Sequence, residues 1–587
     1  MIISDYKYPL YPAVMKSDFR EIIEDAAKEF SDKISFLEKD KDDVYKGITY
    51  KDFADKVKYL GEGLLRSGFK QRDKIGLIGK NCQKWAISYL AITTSNFVVI
   101  PLDKENKVNE LKNIVVKSGL KAIIFDNKFA EDMVSIKSSV QTLETLIPFE
   151  NNSQYSESFD SLVEKGKESF GGPGGLYDKI KINNKEVTSI IFTSGTTGQP
   201  KGVMLSQFNI ISNIYQMLQL HKISDKDVFL SFLPLHHAYE CTCGFLCQIY
   251  VGSTIAYAKS LRTIADNLSE AKATMLLGVP LIFESFYKKI KELAFKGIKG
   301  AVVLNTAHII CTVAEKVFKK KGFRRKMFKA FHDKFCGNLR AFISGGAALK
   351  KDVGAFFTKL GVLTVQGYGI TECSPLLAVN RDKYYKFDSA GMPSPGLDII
   401  ITNKNAEGIG EIAVKGDNVM LGYYEEPELT NEAFMDGYFL TGDWGYIDKD
   451  NCLYITGRKK NVIVTNNGKN IYPEEIEFLY LESQTIDGIV IKSYDEGAMS
   501  EEVISAIIYP NYEYLKEIKG KTEEELKADK TLFIDDLKKE IIENNKKLAS
   551  YKKIKYFCII DEDFERTTTK KIKRFKIDVK DKYYSVF

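Results

Sequence analysis

The stretch TSGTTGQPKG at residues 193–202 decides how this sequence is interpreted, and it follows the apolar run 190–192. Small residues let successive backbone N–H groups converge on an anion, hydroxyls add donors, and Lys201 adds a positive charge. A Walker loop is disfavoured because Lys201 is followed by Gly202 rather than by Ser or Thr, and because the next residues, GVMLS, predict a strand rather than a helix. The stretch therefore predicts a phosphate-binding turn between two strands.

Outward from this turn, helical patterns alternate with short β-branched runs. Between residues 50 and 125 the runs KIGLIG, FVVIPL and KAIIF accompany the helical patterns KVKYLGEGLLRSG and WAISYLAIT, which predicts an α/β unit with parallel strands. Strand-like runs return from VTSIIFT at 187–193 to VLTVQGYG at 362–369 and predict a second such unit. The polar, glycine-rich stretch 151–184 is interpreted as a surface connection.

The pattern changes after residue 391, where short β runs alternate with turn residues up to 455 and predict a small barrel-like layer. A compact α+β tail is predicted beyond it. The predicted fold class is therefore α/β. A large N-terminal domain of two doubly wound α/β subdomains plus a small distorted β-barrel is followed by a small α+β C-terminal domain.

The length and composition exclude several classes of protein. The 587 residues are enough for several domains, and 84 Lys plus Arg against 79 Asp plus Glu leave a net charge of only +5, so nucleic acid is not an expected partner. The nine cysteines form no regular framework, and the first residues show no basic segment before an apolar run, which favours a reducing cytoplasm. The apolar stretch 244–258 is too short and too polar to span a bilayer.

Further motifs follow the phosphate-binding turn in a fixed order. They are LPLHHAYE at 233–240, ISGGAAL at 343–349, QGYGITECSP at 366–375, GEIAVKG at 410–416, YFLTGDWG at 438–445 and TGRKKNVIVTNNGKNIYPEEIE at 456–477. From about residue 50 to the C-terminus, the sequence resembles the adenylate-forming superfamily of acyl-CoA synthetases, peptide-synthetase adenylation domains and firefly luciferase. The run VPLIFESFYKKI at 279–290 and the C-terminal tail are similar to the long-chain fatty acyl-CoA synthetase branch, although Leu281 replaces a basic residue usual there.

The resemblance implies a reaction and its participants. A fatty acid, long-chain by the branch, is activated by ATP to an acyl adenylate and transferred to CoA, with pyrophosphate and AMP released. Mg²⁺ is the implied cofactor, and ATP and CoA are substrates. Two alternatives stay open: loading of the acyl group onto an acyl carrier protein by the same adenylation, and a non-catalytic ATP-binding sensor.

For the nucleotide, the resemblance implies residues from the phosphate-binding turn and from the later motifs. The implied ATP-binding residues are Thr193, Ser194, Gly195, Thr196, Thr197, Gly198, Lys201, Gly345, Gly346, Ala347, Gln366, Gly367, Tyr368, Gly369, Thr371, Asp443 and Arg458. Tyr368 offers a flat face for adenine, and Thr371 offers a hydroxyl near the α-phosphate. Asp443 can accept hydrogen bonds from both ribose hydroxyls, and Arg458 can bind the same ribose or a phosphate.

The implied catalytic residues are Lys571, Glu372 and His237. Glu372 and Thr193 are the implied Mg²⁺ ligands, since this cation prefers oxygen donors. By the same resemblance, His237 is an aromatic gate beside the acyl adenylate. A zinc site formed by His236 and His237 with Cys241, Cys243 and Cys247 is disfavoured, because the CxCxxxC spacing lacks a second closely spaced ligand pair.

The tail RTTTKKIKR at 566–574 carries the implied adenylating lysine, Lys571. Many relatives have Gly directly before that lysine, whereas this sequence has Lys570. In the long-chain branch the Gly is commonly replaced. Two alternatives remain, namely a solvated basic tail and a shift of the catalytic position by one residue to Lys570.

The resemblance also implies a rotation between the two half-reactions. The predicted domains are 1–457, which binds the nucleotide, and 458–587, which moves about a hinge at Lys460. Rotation would remove Lys571 and bring Gly468, Lys469 and Asn470 toward a pantetheine tunnel.

A basic cluster at 316–329, with apolar residues interleaved, is interpreted as a solvated helix face. An acidic lipid surface is the alternative partner. A peripheral membrane location therefore stays open beside the cytoplasmic one.

Overall fold

The computed structural model describes the chain except for residues 1–5, 7–8, 171–174, 194–199, 295–296, 317–322, 334–336, 465–469, 482, 496–501, 567–571, 578–582 and 587. The chain divides into two compact units. The larger comprises Met1–Ile399, Val414–Phe439 and Asp448–Leu453, and the smaller comprises Ile400–Ala413, Leu440–Ile447 and Tyr454–Phe587. The predicted domain boundary after residue 457 and the hinge at Lys460 stay predictions.

The strands are short, as expected for α/β units. They are β1 (Ile34–Lys39), β2 (Tyr45–Thr49), β3 (Lys74–Ile78), β4 (Val98–Pro101), β5 (Ala122–Phe125), β6 (Thr145–Pro148), β7 (Val187–Thr193), β8 (Lys201–Ser206), β9 (Val228–Ser231), β10 (Thr254–Tyr257), β11 (Met275–Gly278), β12 (Ala341–Ser344), β13 (Leu363–Gly369), β14 (Leu376–Val379), β15 (Met392–Pro393), β16 (Asp398–Thr402), β17 (Gly410–Lys415), β18 (Gly422–Tyr423), β19 (Phe434–Met435), β20 (Tyr438–Ile447), β21 (Leu453–Arg458), β22 (Ile463–Val464), β23 (Asn470–Ile471), β24 (Ile486–Asp495), β25 (Glu502–Pro510), β26 (Tyr556–Ile559) and β27 (Tyr583–Ser585).

The helices alternate with these strands along most of the chain. They are α1 (Phe19–Glu29), α2 (Tyr50–Arg66), α3 (Gln83–Thr94), α4 (Val108–Ser118), α5 (Ala130–Ser139), α6 (Phe159–Phe170), α7 (Leu176–Lys179), α8 (Gln207–Leu220), α9 (Cys247–Tyr250), α10 (Ile264–Glu270), α11 (Pro280–Ala294), α12 (Gly297–Lys316), α13 (Phe323–Met327), α14 (Lys329–Phe331), α15 (Lys351–Lys359), α16 (Pro427–Glu432), α17 (Pro473–Glu477), α18 (Tyr512–Lys519), α19 (Glu523–Ala528) and α20 (Ile534–Asn545).

Two large sheets organise the larger unit. The seven-stranded sheet has the order β18-β8-β7-β4-β3-β5-β6, and the nine-stranded sheet has the order β15-β14-β13-β12-β11-β9-β10-β1-β2. The central pairs are parallel, whereas β7–β8, β8–β18, β13–β14, β14–β15 and β1–β2 are antiparallel. Their buried strands are rich in Val, Ile, Leu and Phe, as strands covered on both faces require.

A five-stranded sheet follows, in the order β16-β17-β20-β19 with β21 paired to β20. In the smaller unit, β24-β25-β26-β27 form a four-stranded sheet and β22 pairs with β23. Helices α17 to α20 accompany that four-stranded sheet along the chain, and its core is apolar, with Ile504, Ile508 and Phe557 fully or almost fully buried. The predicted α/β class with a small α+β C-terminal part is confirmed.

One expectation was wrong. The stretch 151–184, interpreted as a surface connection, contains α6, which packs against α2. Phe159, Leu162 and Gly166 are buried at helical spacing. Gly166 is needed because a Cβ there would lie 1.9 Å from the carbonyl oxygen of Tyr59. The glycines near this helix drew attention to turns and obscured its apolar stripe.

Within the described part of the chain, no helix combines the length and the apolar character that a membrane crossing demands. The basic cluster at 316–329 begins at the end of α12 and continues into α13. Its residues 317–322 lie outside the described residues, so the interpretation of the cluster as a solvated face stays a prediction.

Candidate active site

The phosphate-binding turn lies where β7 and β8 meet. These strands pair in antiparallel register, with Thr193 opposite Lys201 at the end nearest the turn. The predicted strand after the turn is thus confirmed. Ser194, Gly195, Thr196, Thr197 and Gly198 lie outside the described residues, and their roles stay predictions.

Glu372 lies in a short 3₁₀ turn, Thr371–Cys373, that follows β13 and lies beside β8. Two buried asparagines hold the chain just after it. Asn213 donates to and accepts from the backbone of Leu376, at 2.8 and 3.0 Å, and the Asn418 amide donates to the carbonyls of Cys373 and Leu376 at 2.8 and 3.0 Å. Because a buried polar group must be paired, these amides fix the turn in place.

The Glu372 carboxylate is linked to the phosphate-binding hairpin through Tyr423 on β18. The Tyr423 hydroxyl donates to Glu372 Oε1 at 3.0 Å, and the Lys201 ammonium lies 5.5 Å from the centre of the Tyr423 ring. Since Thr193 is opposite Lys201, the structure brings Thr193, Lys201 and Glu372 into one region of the larger unit. A carboxylate, a hydroxyl and an ammonium together suit a magnesium-bound polyphosphate, so these residues fit the predicted cation.

The candidate adenine region lies at the carboxyl ends of two neighbouring parallel strands, where ligands bind in such sheets. Ser344 at the end of β12 is opposite Gln366 in β13, so Gly345, Gly346 and Ala347 follow directly beside β13. Gly346 and Ala347 are exposed, and Gly346 has a left-handed φ of 83°. The two predicted segments are therefore adjacent.

Within β13, the Gln366 side chain forms hydrogen bonds with backbone groups of neighbouring loops. Its amide donates to the carbonyls of Phe387 and Ser389 at 2.9 and 2.7 Å, and its oxygen accepts from the Leu349 N–H at 2.8 Å. Gln366 therefore positions the neighbouring loops.

Beyond Gln366, β13 runs through Gly367, Tyr368 and Gly369 toward Thr371. The Tyr368 ring is partly exposed, as an adenine contact requires. Gly369 is required because a Cβ there would lie 2.3 Å from the carbonyl oxygen of Pro375.

The loop that carries His237 follows β9 and is held by Asn81. The Asn81 side chain donates to the Leu233 carbonyl at 2.7 Å and to the Ser231 hydroxyl at 3.2 Å, and it accepts from the Leu235 N–H at 3.2 Å. His237 is partly exposed.

His236, the neighbour of His237, is buried and contacts an aspartate that the sequence analysis did not connect with it. Its Nε2 lies 3.4 Å from Asp103 Oδ2, and the two histidine rings have centroids 4.2 Å apart. Burial acts to raise the pKa of Asp103, but the hydrogen bond and the electrostatic interaction with His236 lower it to about 2. Asp103 and His236 are more than 130 residues apart in the chain, so a search for local motifs does not detect this contact.

Beneath the histidine loop lies a fully buried glutamate, Glu240, at the start of a π-helical turn, Glu240–Leu246. The Ser231 hydroxyl donates to Glu240 Oε1 at 2.5 Å, which joins Glu240 to the Asn81 network. Burial raises the pKa of Glu240 to about 8, against a smaller lowering effect of Ser231. Glu240 is therefore a neutral acid at neutral pH.

In the smaller unit, the predicted ribose residues lie together. Arg458 Nε is 3.1 Å from Asp443 Oδ1, with Asp443 buried on β20 and Arg458 exposed at the end of β21. The Thr441 hydroxyl accepts from the Asp443 N–H at 3.1 Å and fixes the local backbone. The structure thus brings the two residues together, while their roles in binding the ribose stay predictions.

The predicted hinge residue Lys460 is exposed in a 3₁₀ turn, Lys459–Asn461. Asn470 begins β23, while Gly468 and Lys469 lie outside the described residues. The roles of these three as CoA-tunnel residues stay predictions.

Lys570 and Lys571 also lie outside the described residues. In the described part of the tail, Lys573 and Lys576 both pair with Glu565, at 2.6 Å, and hydrogen bonds from Lys573 and then Lys576 lower the pKa of Glu565 to about 2. Arg566 and Ile572, which precede and follow Lys570 and Lys571 in the sequence, form an antiparallel bridge. These two described lysines are thus held by an acid at the base of the tail.

Comparison with known proteins agrees with this arrangement. A family model described as "AMP-binding enzyme" matches residues 23–424. The chain is 28% identical over 545 residues to long chain acyl-CoA synthetase 4 of Arabidopsis thaliana, covering 87% of this chain and 80% of that protein. It is 27% identical over 590 residues to the long-chain-fatty-acid–[acyl-carrier-protein] ligase AEE15, chloroplastic, of the same plant, covering 88% and 79%.

Among solved structures, the anthranilate CoA ligase AuaEII in complex with anthranoyl-AMP superposes with a TM-score of 0.74. The alignment covers 96% of this chain and 97% of that chain at 17% sequence identity. At this identity the likeness shows a shared fold.

The buried acid at Glu240 predicts a pH dependence of stability. Between the ordinary glutamate pKa of 4.5 and about 8, folding takes up a proton at Glu240, so the free energy of unfolding falls as pH rises through that window. One proton corresponds to a slope of about 1.4 kcal/mol per pH unit. We expect Glu240→Gln, which keeps the size and the hydrogen bond, to flatten the slope in urea unfolding. Glu428→Gln, at an exposed position of α16, is the control, and equal slopes in all three proteins would refute the assignment.

The Asp443–Arg458 pair predicts a nucleotide contact. We expect Asp443→Ala and Arg458→Ala each to weaken ATP binding by about tenfold or more, because hydrogen bonds to charged groups contribute roughly 1.5–3 kcal/mol. Isothermal titration with ATP measures this effect, and thermal unfolding of both variants is the control. Lowered melting temperatures with unchanged ATP affinity would instead identify a structural ion pair.

Proposed function

The chain belongs to the AMP-binding enzyme family, and from this premise we propose that it is an AMP-forming ligase that activates a long-chain fatty acid and transfers it to CoA. The observation that carries the proposal is the joining of Lys201, Tyr423 and Glu372, which brings a cation and a carboxylate to the hairpin of the phosphate-binding turn; this carboxylate is the proposed metal ligand. The names of the relatives at 27–28% identity support the choice of substrate.

The chemistry explains why such a site needs ATP. A carboxylate is a poor acyl donor because its leaving group would be oxide, whereas attack of the carboxylate oxygen on the α-phosphate forms a mixed anhydride and releases pyrophosphate. The CoA thiolate then attacks the acyl carbon, the acyl–oxygen bond breaks, and AMP leaves. Preorganised donors and cations lower the barrier where negative charge develops on the α-phosphate.

Each site residue has its own proposed role in this reaction. Lys201 contributes positive charge at the hairpin, and Glu372 with Thr193 would hold Mg²⁺, which supplies charge neutralisation on the phosphates when bound. Asp443 and Arg458 bind the ribose. Lys571 supplies a cation during adenylation, and His237 lies beside the acyl group.

The acceptor has two candidates. CoA is proposed because acyl-CoA synthetases stand among the relatives, and an acyl carrier protein is the alternative because the AEE15 relative is a ligase for that acceptor. Both carry a thiol on a flexible arm, so the same adenylate serves either. A reducing compartment is proposed as the site of action, supported by eight described cysteines that are buried and form no disulfide with one another.

Pyrophosphate exchange tests the function directly. Carboxylates from acetate to stearate are supplied with ATP and labelled pyrophosphate, followed by CoA or acyl carrier protein as acceptor. We expect the fastest exchange with the longest chains and product formation with CoA. Fast exchange with short acids only would overturn the substrate, product only on the carrier would overturn the acceptor, and ATP binding without exchange would indicate a sensor.

Glu372→Gln is expected to abolish Mg²⁺-dependent exchange while leaving thermal unfolding nearly unchanged, because it removes the charge of the proposed ligand at almost constant size. Glu428→Gln makes the same change at an exposed position and serves as the control. Normal exchange in Glu372→Gln at ordinary Mg²⁺ concentrations would reject the metal role.

A second set of variants is expected to affect adenylation and thioesterification to different extents. Lys571→Ala should slow adenylate formation much more than thioester formation from adenylate supplied ready-made, because a cation is needed only while the α-phosphate is attacked. Lys570→Ala is its control for register. Lys460→Pro should spare adenylation and impair thioesterification, because a fixed φ restricts the rotation on which the second step depends.

Rapid-quench measurements on each half-reaction decide these outcomes. Equal loss in both half-reactions for Lys571→Ala and Lys460→Pro would contradict the two-conformation mechanism. A defect confined to Lys570→Ala would move the catalytic lysine by one position.

A further inference from the structure

Tyr423 lies outside the motifs identified from the sequence. Its backbone is held in place by strand pairing and by a hydrogen bond. Strand β18 pairs with β8, placing Tyr423 opposite Val203, and the Tyr423 N–H donates to the Thr430 hydroxyl at 2.9 Å. The side chain is only 8% exposed. A buried tyrosine held on both sides has little freedom to move its hydroxyl away from Glu372.

The Tyr423 hydroxyl contacts Glu372 as a hydrogen-bond donor. It donates to Glu372 Oε1 at 3.0 Å, and an ionised carboxylate can only accept. The Lys201 ammonium above the ring, at 5.5 Å, adds a cation–π contact on the same side chain.

A hydrogen bond of this kind sets the orientation in which a carboxylate can coordinate a cation. A carboxylate has about four acceptor positions, so one hydrogen bond orients it without using up its capacity to coordinate a metal. Partners that orient metal ligands are themselves important, and their removal commonly costs 10–100-fold in metal affinity. The partner in this site is a tyrosine that also lies against the lysine of the phosphate-binding hairpin.

We propose that Tyr423 is a positioning residue for nucleotide-bound Mg²⁺, orienting Glu372 and holding it in register with Lys201. This inference rests on the proposed function, because it assigns Glu372 to the metal of an ATP substrate. Tyr423 acts through Glu372 and touches neither the acyl group nor the thiol in this proposal. Its loss should therefore change the metal and nucleotide dependence and leave the fatty acid KM nearly unaltered.

The chain provides a matched control in the next residue. The Tyr424 hydroxyl accepts from the Lys74 ammonium at 2.7 Å, a different partner from that of Tyr423. Its N–H donates to the Gly202 carbonyl at 2.7 Å, a backbone contact that a Phe side chain preserves. Tyr423→Phe and Tyr424→Phe thus remove the same atom, one residue apart, from two different partners.

The test measures binding of a metal probe rather than turnover. Electron paramagnetic resonance of Mn²⁺ with α,β-methylene-ATP, which cannot be cleaved at the α-phosphate, reports formation of the ternary complex with the full chain. We expect Tyr423→Phe to weaken Mn²⁺–nucleotide binding by about tenfold, and Tyr424→Phe to change it by less than about twofold. Equal affinities for Tyr423→Phe and Tyr424→Phe would overturn the proposal.

A double-mutant cycle shows whether Tyr423 acts through Glu372. In a Glu372→Ala background the further change Tyr423→Phe should add no loss of Mn²⁺–nucleotide affinity, because its target is gone. A full additional tenfold loss would show that Tyr423 acts by another route and would reject the positioning role. Thermal unfolding of each variant separates these effects from general destabilisation.

The same experiment separates this inference from the proposed function. If the unmodified chain forms no Mn²⁺–nucleotide complex, the ATP-dependent function fails. If it forms one that Tyr423→Phe leaves unchanged, the function stands and the role of Tyr423 is rejected. A normal ratio of kcat to the fatty acid KM in Tyr423→Phe at saturating metal is expected in addition.

Discussion

The pairing of β18 with β8 is the contact on which the metal-binding part of the candidate site depends. It adds a two-residue strand to the edge of the seven-stranded sheet, and so carries Tyr423 to the hairpin of the phosphate-binding turn. The Asn209 amide fixes the approach to that strand by donating to the carbonyls of Asp417 and Val419 at 2.7 and 2.9 Å. Without this pairing, Tyr423 would not connect Glu372 with Lys201.

Buried and half-buried polar side chains position several of the loops around the candidate site. Asn81, Asn213 and Asn418 each satisfy backbone groups of loops that carry predicted site residues, and Gln366 joins the loop after β12 to the loop between β14 and β15. An unpaired buried amide costs free energy, so each of these contacts is tied to one arrangement of the loops. Because these paired amides fix the loops, charged side chains on the loops stay in the site instead of turning toward solvent.

Much of the fold and part of the site could be predicted from particular patterns. The parallel strands were predicted from β-branched runs such as β3 and β4, because buried strands are apolar on both faces. The helix α6 was missed since nearby glycines suggested turns. Asp103 and Tyr423 were also missed, because their partners lie more than 50 residues away and no local spacing marks them. Asn209 and Asn213, four residues apart on α8 and both buried, were a signal that could have been used.

The sequence by itself determined the order of motifs, the fold class and the family resemblance, because small residues, hydroxyls and charges in a fixed order constrain the backbone locally. The tertiary structure alone decided which side chains meet. It joined Tyr423 to Glu372 and Lys201, His236 to Asp103, and Glu240 to Ser231. The reason is that local patterns specify strands and turns, whereas hydrogen bonds between distant residues depend on sheet order and register, which only the packed chain establishes.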